Sequence, residues 1–345
     1  MTKLLEIKEQ VIKLWGEYEL YFRFLYKFLV ALVLFCIINA SVGFMESIST
    51  FPVALLLALI CCLLPQGMTL IVAAGLSVVN LYVLSLEVAL TAALVFVLVF
   101  FMYFRFSPKD GLLVALTPIC FALRIPYVLP IGTGLLRKMH SVAAVACGTI
   151  CYFFLNGIYE NVTALQATTV GGGEVEGGKM TITAGQLLSN GEMYLTVIVF
   201  IASAIVVNII RKMAIDHAWK VAIVSGALVQ ISGLFVGYLL LDLTNKTFLM
   251  IFGNLVAIVL GFVIEFLFMD LDYSRTEHVQ FEDDDYYYFV KAVPKKMVAS
   301  SEKEVIQFSG FTPIDKLKGR RQKKENTVSR QQIVEELDIE EEFLD

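Results

Sequence analysis

Charged residues are scarce in this sequence, and their scarcity excludes an ordinary soluble fold. Only 17% of the 345 residues are charged, while 58% are hydrophobic; a soluble domain has about 25% charged residues. Of the 27 Lys and Arg, twelve lie after Leu271, as do 17 of the 32 Asp and Glu. The preceding part is more apolar than a water-soluble core can absorb, and it is predicted to form an all-α polytopic membrane protein.

Motifs for common catalytic and metal chemistry are absent as well. The chain contains no G-x-x-x-x-G-K-[ST], H-E-x-x-H or G-x-S-x-G sequence. Its three histidines, His140, His217 and His278, lie far apart, and its six cysteines all fall in apolar segments. Because neither set has the spacing of metal ligands, we expect no enzyme activity, no metal site and no cofactor.

The apolar segments predict about eight transmembrane crossings. A crossing needs about 20 residues, so the two segments on either side of Pro65-Gln66-Gly67 are short. They form either two short crossings or one re-entrant loop, which would lower the count to about six. The segments are residues 24–44, 51–64, 68–84, 88–104, 141–159, 193–210, 218–241 and 247–268.

Residues 1–23 are predicted to form an amphipathic helix in the membrane interface. Leu4, Val11, Trp15 and Tyr18 share one helix face, and charged residues lie off it. The segment lacks the early apolar core and the A-x-A site of a cleavable signal peptide. The transmembrane domain then extends over residues 24–271.

The basic residues predict an orientation in a cell membrane. Lys and Arg favour cytoplasmic loops, and they flank the crossings at Arg23, Arg105, Arg137 and Arg211. The loop 160–192 holds one lysine and four glutamates, so we expect it outside, with residues 179–188 as a short strand or interfacial turn. Both termini are then cytoplasmic. Residues 110–136 enter and leave from the cytoplasmic side as a broken hairpin.

Prolines interrupt that hairpin at Pro118, Pro126 and Pro130. Proline removes a helix hydrogen bond, and broken backbone is tolerated at membrane depth only where protein buries it or a wet cavity adjoins it. Pairs of broken segments indicate a transporter's binding site, and the second member here is the Pro65 break. The candidate substrate-binding residues are Gln66, Pro118, Arg124, Pro126, Thr133, Gly134 and Gln230.

Arg124 is the charged residue of that set, and two roles are open for it. A fixed positive charge suits a carboxylate or a phosphate. Alternatively, the side chain reaches the cytoplasmic headgroups, and the prolines are those common in any membrane helix.

Other polar residues lie inside the crossings, where they are costly and often functional. Asn80, Gln230 and Asn254 either coordinate an ion or substrate or bond between helices, and bonding between helices is favoured. Glu265, near the cytoplasmic end of the last crossing, is the candidate for proton coupling, because burial raises the pKa of a carboxyl group. It is alternatively solvated or paired with a basic residue.

The C-terminal part has a different composition. Residues 272–299 are predicted to form a cytoplasmic β-hairpin with Asp283-Asp284-Asp285 as its turn. An isolated hairpin is marginal, so it is expected to pack on the membrane body, a neighbouring copy or a partner. Residues 300–345 are predicted to be disordered, and their basic block, residues 316–324, is expected to attract anionic lipid.

Two sequence runs carry a resemblance to multi-spanning membrane proteins of Gram-positive anaerobes, some of which are described as ABC transporter permeases. One run is Ser107-Pro108-Lys109-Asp110, and the other is Val279-Gln280-Phe281-Glu282-Asp283-Asp284-Asp285-Tyr286-Tyr287-Tyr288. The resemblance implies a permease subunit that works with a separate ATPase. It assigns no catalytic or binding residues.

Three functions are therefore open. The first is a permease for a small solute, in particular an anionic one. The second is a non-transporting scaffold that recruits cytoplasmic proteins through its C-terminal tail, and the third is an ABC-type permease subunit. Expected partners are the lipid bilayer, a small-molecule solute, a cytoplasmic protein or ATPase subunit, and further copies of the chain; nucleic acid is not among them.

Overall fold

The computed structural model describes residues 2–163, 165, 178–213, 215–269, 277–282 and 286–293. Regular structure within these residues is helical apart from one pair of short strands. The helices are α1 (Thr2–Glu17), α2 (Glu19–Val42), α3 (Phe51–Leu63), α4 (Gln66–Leu84), α5 (Leu86–Phe106), α6 (Gly111–Ala122), α7 (Val128–Leu136), α8 (Val142–Glu160), α9 (Gly178–Leu188), α10 (Gly191–Arg211), α11 (Ala218–Leu240) and α12 (Thr247–Phe268), and the strands are β1 (Glu277–Glu282) and β2 (Tyr287–Ala292).

Among the described residues, seven helical stretches are long and apolar enough to cross a membrane. They are Glu19–Val42, Gly67–Leu84, Leu86–Phe106, Met139–Glu160, Gly178–Arg211, Ala218–Leu240 and Thr244–Phe268. The chain is accordingly a multi-pass α-helical membrane protein. The remaining predicted segment, residues 51–64, forms α3, whose 13 residues are fewer than a perpendicular crossing of about 20 residues needs.

The predicted interfacial helix divides at Tyr18, so that α2 begins at Glu19, before the predicted start of the first crossing. Lys8 on α1 is buried rather than solvated. Its Nζ donates to the Met269 carbonyl oxygen at 3.2 Å and lies 5.6 Å from the centre of the Phe266 ring. Because a cation is favourable at a helix C-terminus, this contact holds α1 against the end of α12.

Helix α3 returns the chain along α2. The Cys62 thiol, near the end of α3, donates to the Phe24 carbonyl oxygen at 3.1 Å, so α3 ends beside the start of α2. Helix α4 then runs back, since Asn80 near its end accepts from the Ser49 hydroxyl at 2.8 Å and from the Met45 N–H at 3.3 Å. Asn80 thus secures the connection between α2 and α3.

Residues 110–137 form a helical hairpin with α6 and α7 as its arms. Its two ends lie together, because Arg137 Nε lies 3.7 Å from Asp110 Oδ1. Three proline breaks were expected, but α6 continues through Pro118. Pro130 lies in the first turn of α7, where a backbone N–H has no partner within the helix. The hairpin therefore has one break, at residues 123–127.

The arms of the hairpin belong to two groups of helices. Helix α6 packs on α2, α4 and α8 in the larger apolar core, whereas α7 packs on α10, α11 and α12 in a second core. The two groups meet in a small cluster of Leu129, Val145 and Phe200. The hairpin turn therefore lies at the seam between the groups.

Helix α9 replaces the strand or turn that was predicted for residues 179–188, and that prediction was wrong. Thr181 and Thr183, whose β-propensity suggested a strand, donate to carbonyl oxygens of their own helix at 2.9 and 2.7 Å. The Gln186 side chain donates to the Gly157 carbonyl oxygen, and the Met180 N–H donates to Glu87 at 3.2 Å. Packing of α9 against α8 and α5 outweighs the β-propensity of these threonines, because β-propensity depends strongly on context.

The helix bundle has two chemically different ends. The basic end carries Arg105, Lys109, Arg137 and Arg211, and the acidic end carries Glu87, Glu160 and Glu192. The hairpin of α6 and α7 enters and leaves at the basic end.

The strands β1 and β2 pair antiparallel, with Glu277 opposite Ala292 and Glu282 opposite Tyr287. The predicted turn at residues 283–285 and the predicted disordered tail at residues 300–345 lie outside the described residues.

Candidate functional site

The turn between α6 and α7 holds Arg124 in an uncommon backbone conformation. The Ile125 N–H donates to the Cys120 carbonyl at 2.9 Å, and the Arg124 N–H donates to the Phe121 carbonyl at 3.0 Å. This pair of bonds is the Schellman C-cap, whose left-handed position glycine usually occupies. Arg124 adopts it with a φ of 61°. A charged side chain is thus kept where glycine would cost less free energy.

The Arg124 turn lines an open cavity of about 420 Å³ at the acidic end of the seam. That volume lies within the range of about 300–1,000 Å³ that is usual for small-molecule sites. Both groups of helices contribute to its walls. The lining residues are Phe121, Ala122, Arg124, Pro126, Tyr127, Tyr152, Phe153, Asn156, Gly157, Glu160, Asn190, Glu192, Thr196, Phe200, Tyr238, Lys246 and Leu249.

Four of the lining residues are charged, and two of them neutralise each other. Lys246 Nζ lies 2.7 Å from Glu192 Oε2 and 2.9 Å from Oε1. Glu160 Oε1 accepts a 2.8 Å hydrogen bond from Asn156, which orients the carboxylate without neutralising it. The Arg124 guanidinium is exposed and makes no side-chain hydrogen bond or ion pair with any residue that the structure describes. One positive and one negative charge are therefore open to a ligand.

Aromatic rings form the deeper wall of the cavity. Phe121 stacks on Tyr152 with 4.2 Å between ring centroids, and Tyr127 meets Phe200 edge-on at 6.2 Å. Tyr127 and Tyr238 both line the cavity. This wall offers apolar ring faces with a few hydroxyl groups at their edges.

Beneath the aromatic wall, apolar packing closes the seam. Leu129, Val145 and Phe200 are all buried and pack against one another. They come from α7, α8 and α10, so they join the two groups of helices at the seam, where Phe200 also lines the cavity.

At the basic end, polar bonds hold α7 against α10. Asn208 donates to the Arg137 carbonyl at 2.9 Å and to the Gly134 carbonyl at 3.3 Å. The Arg211 guanidinium donates to the Leu135 carbonyl. These donors satisfy carbonyl groups that a helix leaves unpaired at its C-terminus, and the cation of Arg211 also favours that end of the helix.

A smaller pocket of about 80 Å³ adjoins the cavity within the first group of helices. Its lining is mainly apolar and includes Pro118, while Tyr152 and Asn156 line both spaces. Pro118 therefore lies on the apolar side and not among the charged residues.

Of the predicted substrate-binding residues, Arg124 and Pro126 line the cavity, and three others serve helix packing. The Thr133 hydroxyl donates within its own helix to Leu129 O at 2.6 Å. Gly134 lets α10 approach, because a Cβ there would lie 2.6 Å from Val207 Cβ. The third is Gln230.

Gln230 is fully buried and donates through Nε2 to the Ser203 hydroxyl at 3.0 Å. Asn254 is also fully buried and donates to Met250 O at 3.0 Å. The side-chain oxygens of both amides lack a hydrogen-bond partner among the described residues. The Gln230 nitrogen thus bonds between two helices, which is the role that the sequence favoured, whereas the Asn254 nitrogen bonds within its own helix.

The two broken segments do not meet. Gln66 begins α4, and the next residue, Gly67, lies beside Tyr103 and Phe104 at the basic end. Arg124 lies with Glu160 at the acidic end, so it does not reach the headgroups at the basic end. Glu265, the candidate for proton coupling, is buried near the end of α12 and does not line the cavity.

Several cavity residues were not anticipated, namely Tyr127, Asn156, Glu160, Glu192 and Lys246. The sequence did contain a signal for Glu160 and Glu192, because they flank the acidic loop, one at the end of α8 and the other at the start of α10. No local pattern relates Lys246 to Glu192, since 54 positions separate them along the chain.

Among the described residues, no group of three or more His, Cys, Asp or Glu side chains is arranged to hold a metal ion. Comparisons of the chain with protein-family models, with curated proteins and with solved structures find no match.

Proposed function

We propose that the protein is a permease of the cell membrane that binds a small polar solute in the cavity at the acidic end. The observation that carries this proposal is the position of the cavity. It opens at the seam between two groups of helices, and buried apolar side chains close the seam beneath it. A site at such a seam is exposed to one side of the membrane, and rocking of one group against the other would expose it to the opposite side.

The distribution of charge supports an orientation with the basic end in the cytoplasm. The cavity then faces outward, and both termini are cytoplasmic. Eight crossings fit this path, because α3 ends beside Phe24 at the start of α2 and so returns to the basic end. In this arrangement α6 and α7 form a hairpin that enters from the cytoplasm and carries Arg124 to the outward cavity.

The hairpin gives this proposal a mechanism. Its arms pack in different groups of helices, and its single turn carries Arg124 into the solute cavity. A solute that binds the turn acts on both groups at once. Asn208 and Arg211 both donate hydrogen bonds to carbonyl oxygens at the end of α7. When the basic end opens, α7 and α10 must therefore either move together and keep these bonds or separate and break both.

Cysteine labelling from each side of the membrane tests the proposal. In a chain whose six native cysteines are replaced, Ala122→Cys in the cavity should react with an impermeant maleimide in intact cells and also in inverted vesicles. Asn245→Cys, exposed at the acidic end but not in the cavity lining, is the matched control and should react in intact cells only. Labelling of Ala122→Cys from outside alone, with no solute of a broad panel raising the Tm, would contradict transport.

The other two functions remain predictions. Recruitment of a cytoplasmic protein concerns residues 300–345, which lie outside the described residues. Partnership with a separate ATPase predicts that one co-purifies with the chain. The cavity favours the permease over the scaffold, because a scaffold needs no cavity lined by charged residues.

A further inference from the structure

The geometry points to a zwitterionic solute, with one carboxylate and one ammonium group and the size of an amino acid or short peptide. This inference rests on the proposed function, since it takes the cavity to be the solute site of the permease. It revises the anionic solute that Arg124 alone suggested.

The charges of the lining carry the inference. Arg124 and Lys246 balance Glu160 and Glu192, so the formal charge of the lining is zero. Lys246 and Glu192 are paired at 2.7 Å, which leaves Arg124 for a carboxylate and Glu160 for an ammonium group. A net anion would meet Glu160 and a net cation would meet Arg124, and in each case a like charge is unfavourable.

Both open charges act on the same space. Arg124, Glu160 and Tyr152 all line the cavity. Arg124 is positioned by the capped turn, and Glu160 is positioned by the bond from Asn156. A planar guanidinium binds a carboxylate through two parallel hydrogen bonds, so the two ends of a zwitterion would be fixed separately.

The aromatic wall provides for the remainder of such a solute. The rings of Phe121 and Tyr152 stack in the cavity lining, and Phe200, which packs beside Phe121, belongs both to the lining and to the buried cluster. Transfer of an apolar side chain from water to such a wall is favourable in free energy. The cavity therefore fits a molecule with a charged backbone at one end and an apolar group at the other.

Thermal unfolding of the purified full-length protein, with the common L-amino acids and their dipeptides as probes, tests the inference. At least one zwitterion should raise the Tm by about 2 °C or more at saturation. Two analogues of that compound, one without the ammonium group and one without the carboxylate, should raise the Tm less. An anion that stabilises as well as the zwitterion would overturn the inference.

Two variants should give opposite patterns with these analogues. Arg124→Gln should weaken binding of the zwitterion and of the carboxylate-only analogue alike. Glu160→Gln should weaken binding of the zwitterion and spare or strengthen that of the carboxylate-only analogue. Arg124→Lys, which keeps the charge, should retain part of the affinity, and Arg105→Gln at the basic end should bind as the parent protein does.

Failure of the inference is distinguishable from failure of the proposed function. If Ala122→Cys is labelled from both sides while no amino acid or dipeptide binds, or if the two variants affect both analogues equally, the zwitterion assignment is wrong and the permease proposal stands. If labelling occurs from one side only and no solute binds, both fail. Size-exclusion profiles identify any variant that does not fold, and the analogue series on the parent protein then decides the inference.

Discussion

Arg137 Nε lies 3.7 Å from Asp110 Oδ1, and this ion pair joins the two ends of the hairpin that carries Arg124. The carboxylate is buried and also accepts a 2.6 Å hydrogen bond from Ser141 at the start of α8. One side chain therefore connects α6, the end of α7 and α8 at the basic end of the bundle.

Replacing Asp110 should destabilise the protein. Asp110→Ala leaves the buried Ser141 hydroxyl without its acceptor, and the loss of such a bond to a charged group costs about 2 kcal/mol. Asp110→Asn keeps an acceptor for Ser141, so the stability lost in this variant should be about half that lost in Asp110→Ala. Thermal unfolding in detergent measures both. The exposed Asp242→Asn is the control and should leave the Tm unchanged; an equal change there would contradict a specific role for Asp110.

Arg124→Gly should stabilise the protein while it weakens solute binding. The left-handed backbone at a φ of 61° costs a residue with a Cβ about 1 kcal/mol, and glycine avoids that cost. Arg124→Ala removes the same charge but keeps the Cβ, so it should bring no such gain. The difference in Tm between the two variants isolates the backbone strain. If both variants unfold at the same temperature, strain at Arg124 is not a factor.

Gly226→Ala should destabilise the contact between α10 and α11. A Cβ at Gly226 would clash with Val207, and overpacking of this kind costs about 1–3 kcal/mol. Adding Val207→Ala removes the clash, so the double variant should lose less stability than the sum of the single variants. Gly75→Ala, where a Cβ would meet nothing within 4 Å, is the control and should not destabilise. Additive losses in the double variant would show that the two residues do not interact.

The path of α3 predicts the side on which the Pro65 break lies. If α3 crosses the membrane, Pro65→Cys should react with an impermeant maleimide in inverted vesicles only, as Lys109→Cys at the basic end does. Glu46→Cys, in the connection between α2 and α3, should react in intact cells. All three positions are exposed in the structure. Labelling of Pro65→Cys from outside would support a re-entrant loop instead and would lower the number of crossings.

Local chemistry made much of the architecture predictable. The length and apolar composition of the helices depend on neighbouring residues alone, so the segments near α5, α8 and α11 were located within a few residues. The end of α6 was also predictable, because the residue before Pro126 avoids the helical conformation. Local rules overestimated the effect of Pro118, through which α6 continues, and of Pro130, which lies in the first turn of α7 where the missing N–H has no partner within the helix.

The cavity was not predictable in the same way. Arg124, Glu160 and Lys246 lie on separate elements, and no spacing along the chain brings them together. The sequence determined by itself that the chain enters a membrane as helices, because apolar composition and the backbone limits that proline imposes depend only on nearby residues. Tertiary structure alone decided that the two breaks lie at opposite ends and that Arg124 and Glu160 line one cavity, since the depth of each turn is set by helix contacts between distant residues.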